Sequence, residues 1–229
     1  MADDSAFRII GPIMTGPSSS HTAGAVRIGR TARLLYGKEP KKVSVYFHGS
    51  FAETWKGHGS DKAVIGGILG YKTFDERIKK ADVLAAEAGV EIIFKRINLG
   101  PDYHPNSIKI IVEDPELPTE IIAESVGGGD IVIREIMGFP TEITGDEVTL
   151  ILRHKDYVGT LSKITGVVSE YEINIVSLSS KDIPREKIAM TTIEIEGSAP
   201  KDLKEKLLAI KGMDLVRILP KLTEGEEMF

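Results

Sequence analysis

The hydrophobic pattern between Val148 and Leu219 alternates between two periods in a fixed order, and few folds accept that order. Val148 to Arg153 reads as a strand, and Leu161, Ile164, Val168 and Tyr171 then recur on one face of a helix. Ile173 to Ser179 and Lys187 to Glu196 read as two further strands. Pro200 opens a second helix with Leu203, Leu207 and Ile210 on its buried face, Gly212 ends it, and Leu215 to Leu219 is a last strand. The order βαββαβ predicts a ferredoxin-like unit whose two helices cover one face of its sheet.

Ahead of it, Phe139 to Asp146 is rich in turn-forming and polar residues, which puts a boundary there. The expected organisation is α+β throughout: an N-terminal α/β domain over 1–145, the ferredoxin-like unit over 146–222, and an acidic, disordered tail over 223–229.

In the N-terminal part, Gly11 to Gly29 contains two Gly-Pro pairs, then Ser18-Ser19-Ser20-His21-Thr22, then a helical stripe of Ile28, Ala32 and Leu35 ended by Gly37. This reads as a loop that delivers polar groups to a helix start, where free N–H groups and the positive dipole end favour a carboxylate or phosphate. One serine suffices as a cap; a run of hydroxyls and an imidazole points to a binding site.

A strand, Val43 to His48, leads to a second polar loop around Gly57-His58-Gly59-Ser60-Asp61, with Ser60 or Asp61 expected to cap a helix running to about Gly70. Gly66 and Gly67 inside that helix predict a close neighbour. Thr73 to Glu76 reads as a capping box for a structural helix with Ile78, Ala81, Leu84 or Ala85 and Ala88 on one face. Strands follow over 91–98 and 108–113, joined through Asp102-Tyr103-His104-Pro105-Asn106-Ser107, a third polar loop. Ile121 to Met137 reads as a hairpin turning at Gly127-Gly128-Gly129.

Composition narrows the function. The 229 residues carry a formal net charge of −5 with scattered basic residues, which argues against nucleic acid or an anionic membrane as partner. No run is long and apolar enough to span a bilayer, and the acidic N-terminus is unlike a signal peptide, so the expected location is the cytoplasm. With no cysteine, the chain alone offers no disulfide, thiol nucleophile or thiolate metal site, and the five histidines lack helical zinc spacing. His48 reads as a structural strand-end residue. Walker spacing and its lysine are missing, which weakens a phosphate-binding reading of the serine loop.

The C-terminal order, with His154 to Leu161 at its first strand–helix turn and Asn174-Ile175-Val176 in its second strand, resembles an ACT domain. That resemblance implies an amino-acid-sensing module which pairs with a second copy and binds its ligand near Gly159, Thr160, Leu161 and Asn174. The usual Asp-x-Pro-Gly turn has Val158 before Gly159 here, so the implied ligand is serine, another amino acid or a monovalent cation.

Gly-Pro-Ser-Ser-Ser-His-Thr-Ala-Gly from Gly16 to Gly24, Gly49-Ser50-Phe51 with Gly57-His58-Gly59-Ser60-Asp61, and His104-Pro105-Asn106 resemble the β chain of bacterial iron–sulfur L-serine dehydratase. The resemblance implies conversion of L-serine to pyruvate and ammonia, with a [4Fe–4S] cluster carried by a cysteine-bearing α chain. It further implies substrate binding by Ser18, Ser19, Ser20, Thr22, Ser60, Asp61, His104 and Asn106, and proton transfer by His21 or His58. No metal is expected on this chain. A second reading stays open: the N-terminal domain also resembles the regulatory domain of some phosphoglycerate dehydrogenases, which implies a stand-alone serine-binding protein without catalysis.

Overall fold

The computed structural model describes residues 12–183 and 185–222. The N-terminal Met-Ala-Asp-Asp, Gly11 and the acidic tail lie outside these residues. Contacts divide the chain into two units, Met1–Gly138 with Glu142–Thr144 and Thr223–Phe229, and Phe139–Thr141 with Gly145–Leu222.

The first unit is built on a mixed sheet in the order β2-β1-β3-β4-β5-β6, whose last strand contains the boundary with the second unit. These strands are β1 (Lys42–Phe47), β2 (Glu91–Arg96), β3 (Ser107–Val112), β4 (Thr119–Gly127), β5 (Asp130–Ile136) and β6 (Phe139–Ile143). β1 and β2 run parallel, whereas β1, β3, β4 and β5 pair antiparallel. The boundary expected at 139–146 contains an edge strand, β6: Phe139 and Ile143 are buried, while Pro140 is exposed, as an edge strand tolerates.

Helices α1 (Gly24–Tyr36), α2 (Gly49–Thr54), α3 (Ser60–Ile68) and α4 (Ala81–Glu87) complete the unit. Ile28, Ala32 and Leu35 of α1 are fully or almost fully buried, and α1 packs on α3 and β4. The close neighbour of Gly67 is α1 itself. A Cβ at Gly67 would fall well inside contact of the Val26 carbonyl, and one at Gly29 inside that of Val64, so the two helices touch backbone to backbone. Gly66 faces only the side chains of Ile78 and Tyr71.

Several local expectations are corrected. Thr73 gives its hydroxyl to the Ile13 carbonyl (2.8 Å), and Asp75 rather than Thr73 caps the short 3₁₀ turn Glu76–Lys80 that precedes α4. Ala88 is exposed while Ile78, Ala81 and Ala85 are buried, because α4 stops a residue earlier. Gly59, at φ +68°, occupies the cap position of α3; neither Ser60 nor Asp61 does.

The second unit has the predicted βαββαβ order: β7 (Val148–Lys155), α5 (Thr160–Ser169), β8 (Ile175–Ile183), β9 (Ile188–Ile195), α6 (Leu203–Leu208) and β10 (Met213–Leu219). Its antiparallel sheet is ordered β10-β7-β9-β8. Leu150, Leu152, Ile193 and Val216 on one sheet face meet Ile164, Val168, Leu203 and Leu207 of the two helices. Leu161 departs from the expected buried stripe and is 40% exposed. β8 is an edge strand, and its Val176 and Leu178 are exposed.

Candidate active site

Residues Ser18–Thr22 are not the loop that the serine run suggests. Ser18 is the cap, its hydroxyl accepting the His21 N–H (3.2 Å), and Ser19–Ala23 form a π-helical turn continuous with α1. His21 therefore sits on a helix end rather than on a mobile tip.

The second polar loop is also more ordered than its glycines imply. Gly49 opens α2, which carries Phe51 under the site and ends at Thr54. The His58 N–H then bonds the Thr54 carbonyl (3.1 Å), and Gly59 turns the chain into α3. His21 and His58 meet here, with ring centroids 4.9 Å apart. His58 is exposed, whereas His21 is half-buried with its ring set edge-on to Phe51, also at 4.9 Å. Phe51 leans on Phe47, which stacks with Trp55 and Phe94.

The third loop is pinned to the second. The Ser50 N–H donates to the Pro105 carbonyl (2.8 Å), and a Cβ at Gly49 would collide with Pro105. Inside this loop the Asn106 N–H donates to Nδ1 of His104 (3.1 Å), which puts the proton of the neutral ring on Nε2, while the His104 N–H donates to buried Glu124 (2.9 Å). His48 accepts the Leu99 N–H at Nδ1 (3.2 Å), as a structural residue would.

All three loops thus converge, and they share an electrostatic signature. Among the described residues, buried side-chain atoms without a hydrogen-bond partner include His21 Nε2, Thr22 Oγ1, Ser60 Oγ and Asn106 Oδ1. Buried polar atoms are normally paired, so such a concentration on three adjoining loops suits a polar ligand. Burial, and then the charge of neighbouring His58, holds the His21 imidazole below its ordinary pKa. Its neutral form is favoured near neutral pH.

Of the predicted site residues, Ser18, Thr22, His21, His58, Ser60, His104 and Asn106 all lie on these loops, with Ser19 and Ser20 half-buried in the π turn. Asp61 instead accepts the Lys62 N–H (2.9 Å), and no contact among the described residues joins it to either histidine.

The site also uses residues that the sequence reading passed over. Buried Arg27 donates to the Gly129 carbonyl (2.6 Å) and pairs with Asp130 (3.4 Å), clamping the glycine turn, whose three members all have positive φ. Ser125 of β4 and Phe51 touch the π turn directly. A signal existed for two of them: Ser125 breaks the inward stripe of Ile121 and Ala123, and Arg27 interrupts the apolar start of α1.

In the second unit, a groove of about 780 Å³ lies along α5, lined by Ser162, Thr165, Gly166 and Ser169 together with Glu172 to Ile175. Asn174 lies in it and also donates to Glu196 (3.0 Å). Gly159, Thr160 and Leu161 sit at the start of α5 and do not line this groove.

Residues 5–96 match the family described as serine dehydratase beta chain, and residues 148–212 match the ACT domain. The chain is 46% identical over 194 residues to the "Probable L-serine dehydratase, beta chain" of Bacillus subtilis (strain 168), covering 84% of this chain and 87% of that one. It is 42% identical over 212 residues to the "L-serine dehydratase, beta chain" of Peptoniphilus asaccharolyticus, covering 92% and 96%. Against "L-serine dehydratase TdcG" of Escherichia coli (strain K12) it is 30% identical over 211 residues, 78% of this chain but 45% of that one. With the three loops assembled around paired imidazoles and an ACT domain behind them in sequence, the chain belongs to the L-serine dehydratase beta-chain family.

Proposed function

We propose that this chain is the β subunit of an enzyme that converts L-serine to pyruvate and ammonia, working with a cysteine-bearing α chain. The observation that carries the reading is the meeting of His21 and His58 at the starts of α1 and α3, among buried polar atoms that lack partners.

In this reading the serine carboxylate lies at the hydroxyl-rich start of the helix, held by Ser19, Ser20 and the positive dipole end. His104, with its proton on Nε2, and Asn106 supply further polar contacts. His21 Nε2 takes the α-proton of serine. Burial suits it to this role, because a base must be neutral before it accepts a proton. Loss of the hydroxyl as water leaves aminoacrylate, whose imine form hydrolyses to pyruvate and ammonia.

The chain has no cysteine, and its histidines and carboxylates do not converge as a metal-binding group among the described residues. A [4Fe–4S] cluster, with its Lewis-acid chemistry toward the hydroxyl, would therefore be held by the α chain. Exposed His58, between Gly57 and Gly59, is placed to face that partner. The match to less than half of the Escherichia coli relative supports a division of labour between two chains.

Replacing His21 by alanine in the reconstituted two-chain enzyme should lower turnover by at least about a hundredfold, and His58→Ala should also impair it; near-wild-type rates for both would sink the assignment. A stand-alone serine sensor would need the polar pocket but not two facing imidazoles.

The ACT unit adds self-association and regulation in this proposal, with serine as the first candidate ligand. β8 presents an unpaired edge with exposed Val176 and Leu178. Sedimentation of the isolated chain at micromolar concentration should give at least a dimer of the 25.0 kDa protomer, and a strict monomer would contradict it. Among the described residues no helix is long and apolar enough to cross a membrane, which is compatible with a cytoplasmic location.

A further inference from the structure

The turn that carries His21 is in a register that the local sequence alone does not demand. In an α-helix the Gly24 N–H would bond the Ser20 carbonyl, four residues back. It bonds the Ser19 carbonyl instead, five residues back, and the turn is π-helical. The Ser20 carbonyl accepts the Ser125 hydroxyl at 3.0 Å.

Ser125 is fully buried on β4, and its own N–H donates to the Asn106 carbonyl (2.9 Å), so one residue is bonded to both the serine–histidine turn and the His-Pro-Asn loop. Gly24 leaves room for it: a Cβ there would overlap the Ser125 hydroxyl. Ser125 is buried and its hydroxyl needs an acceptor, which the Ser20 carbonyl supplies in this register, so the hydroxyl bond and the π register stabilise each other.

We propose that Ser125 is a positioning residue: by accepting the task of pairing the Ser20 carbonyl it holds the turn in π register and thereby aims His21 at His58. Without the hydroxyl, the Gly24 N–H, the α-helical partner four residues on, can move from the Ser19 to the Ser20 carbonyl. That exchange converts the turn to α register and rotates His21 about the helix axis, by roughly the 100° that one residue occupies. The imidazoles then separate. This inference deepens the functional reading of the site, but its test does not depend on dehydratase activity.

The experiment is histidine-resolved NMR titration of the full chain. In the wild-type background, His58→Asn should raise the His21 midpoint, because a neighbouring positive charge is removed. In the Ser125→Ala background the same His58→Asn change should shift the His21 midpoint little or not at all, with the fold verified by the thermal transition. An equal shift in both backgrounds would overturn the proposal. Should Ser125→Ala fail to fold, Ser125→Cys, of similar shape with a weaker donor, is read in the same way: a reduced shift supports the assignment and a full shift contradicts it. A chain with no dehydratase activity that still shows the loss of coupling would refute the functional reading while leaving this one intact.

Discussion

At the scale of single residues, the site depends on where two imidazoles are held. His21 rests edge-on against Phe51 and beside His58, and burial followed by the His58 charge depresses its pKa. Folding therefore favours the neutral ring. The contribution of His21 to stability is complete above its unfolded pKa of about 6.5 and is lost as pH falls through the lower folded value. The same sign governs catalysis by a neutral base. His58→Asn should move the acidic limb of the kcat profile toward higher pH, as removal of the neighbouring charge raises the His21 pKa. A limb displaced toward lower pH would remove His21 from the role of base. The clustering of hydroxyls and imidazoles between glycines and prolines was legible in the sequence, and it marked the segments that the structure brings together at His21 and His58. That His21 sits half-buried on an aromatic wall was not, because Phe51 reads as an ordinary core residue until α2 folds beneath the turn.

At the scale of elements, α1 and α3 bring the two histidines together. Each helix begins just after one of them, and Gly29 and Gly67 let the backbones touch farther along. Gly67→Ala gains about 1 kcal/mol of helix propensity but forces a methyl group against the Val26 carbonyl, and overpacking of this kind costs typically about 1–3 kcal/mol or more. Backbone atoms cannot swing aside, so the clash wins. Gly67→Ala should lower the thermal midpoint and weaken activity, whereas Gly66→Ala, whose methyl meets side-chain atoms of Ile78 rather than backbone, should lower the midpoint less in a thermal melt. Equal midpoints for the two variants would mean that the helix crossing is looser than described. The glycine pair was readable as a close approach, but its partner was not, since the α1 stripe gives no sign of which helix it meets. The π register escaped the sequence for the same reason: it depends on Ser125, more than a hundred residues away along the chain. β6 was masked by turn-forming residues that an edge strand tolerates.

At the scale of the whole molecule, the chain joins a loop-built polar site to a βαββαβ unit, and both follow patterns visible in the sequence. The ferredoxin-like order was readable because each element keeps its own hydrophobic period. The groove of the second unit takes in Asn174 but not the Gly159 turn, because its lining comes from residues 162–175, the body of α5 and the segment that follows it. In the proposed function, exposed His58 faces a cysteine-bearing partner chain. The most direct test is to purify the chain anaerobically from its native host, without supplying a partner, and assay serine-dependent pyruvate formation. The account predicts a co-purifying cysteine-containing chain, brown iron–sulfur absorbance and pyruvate. A colourless chain that emerges alone, binds serine and forms no pyruvate would contradict it.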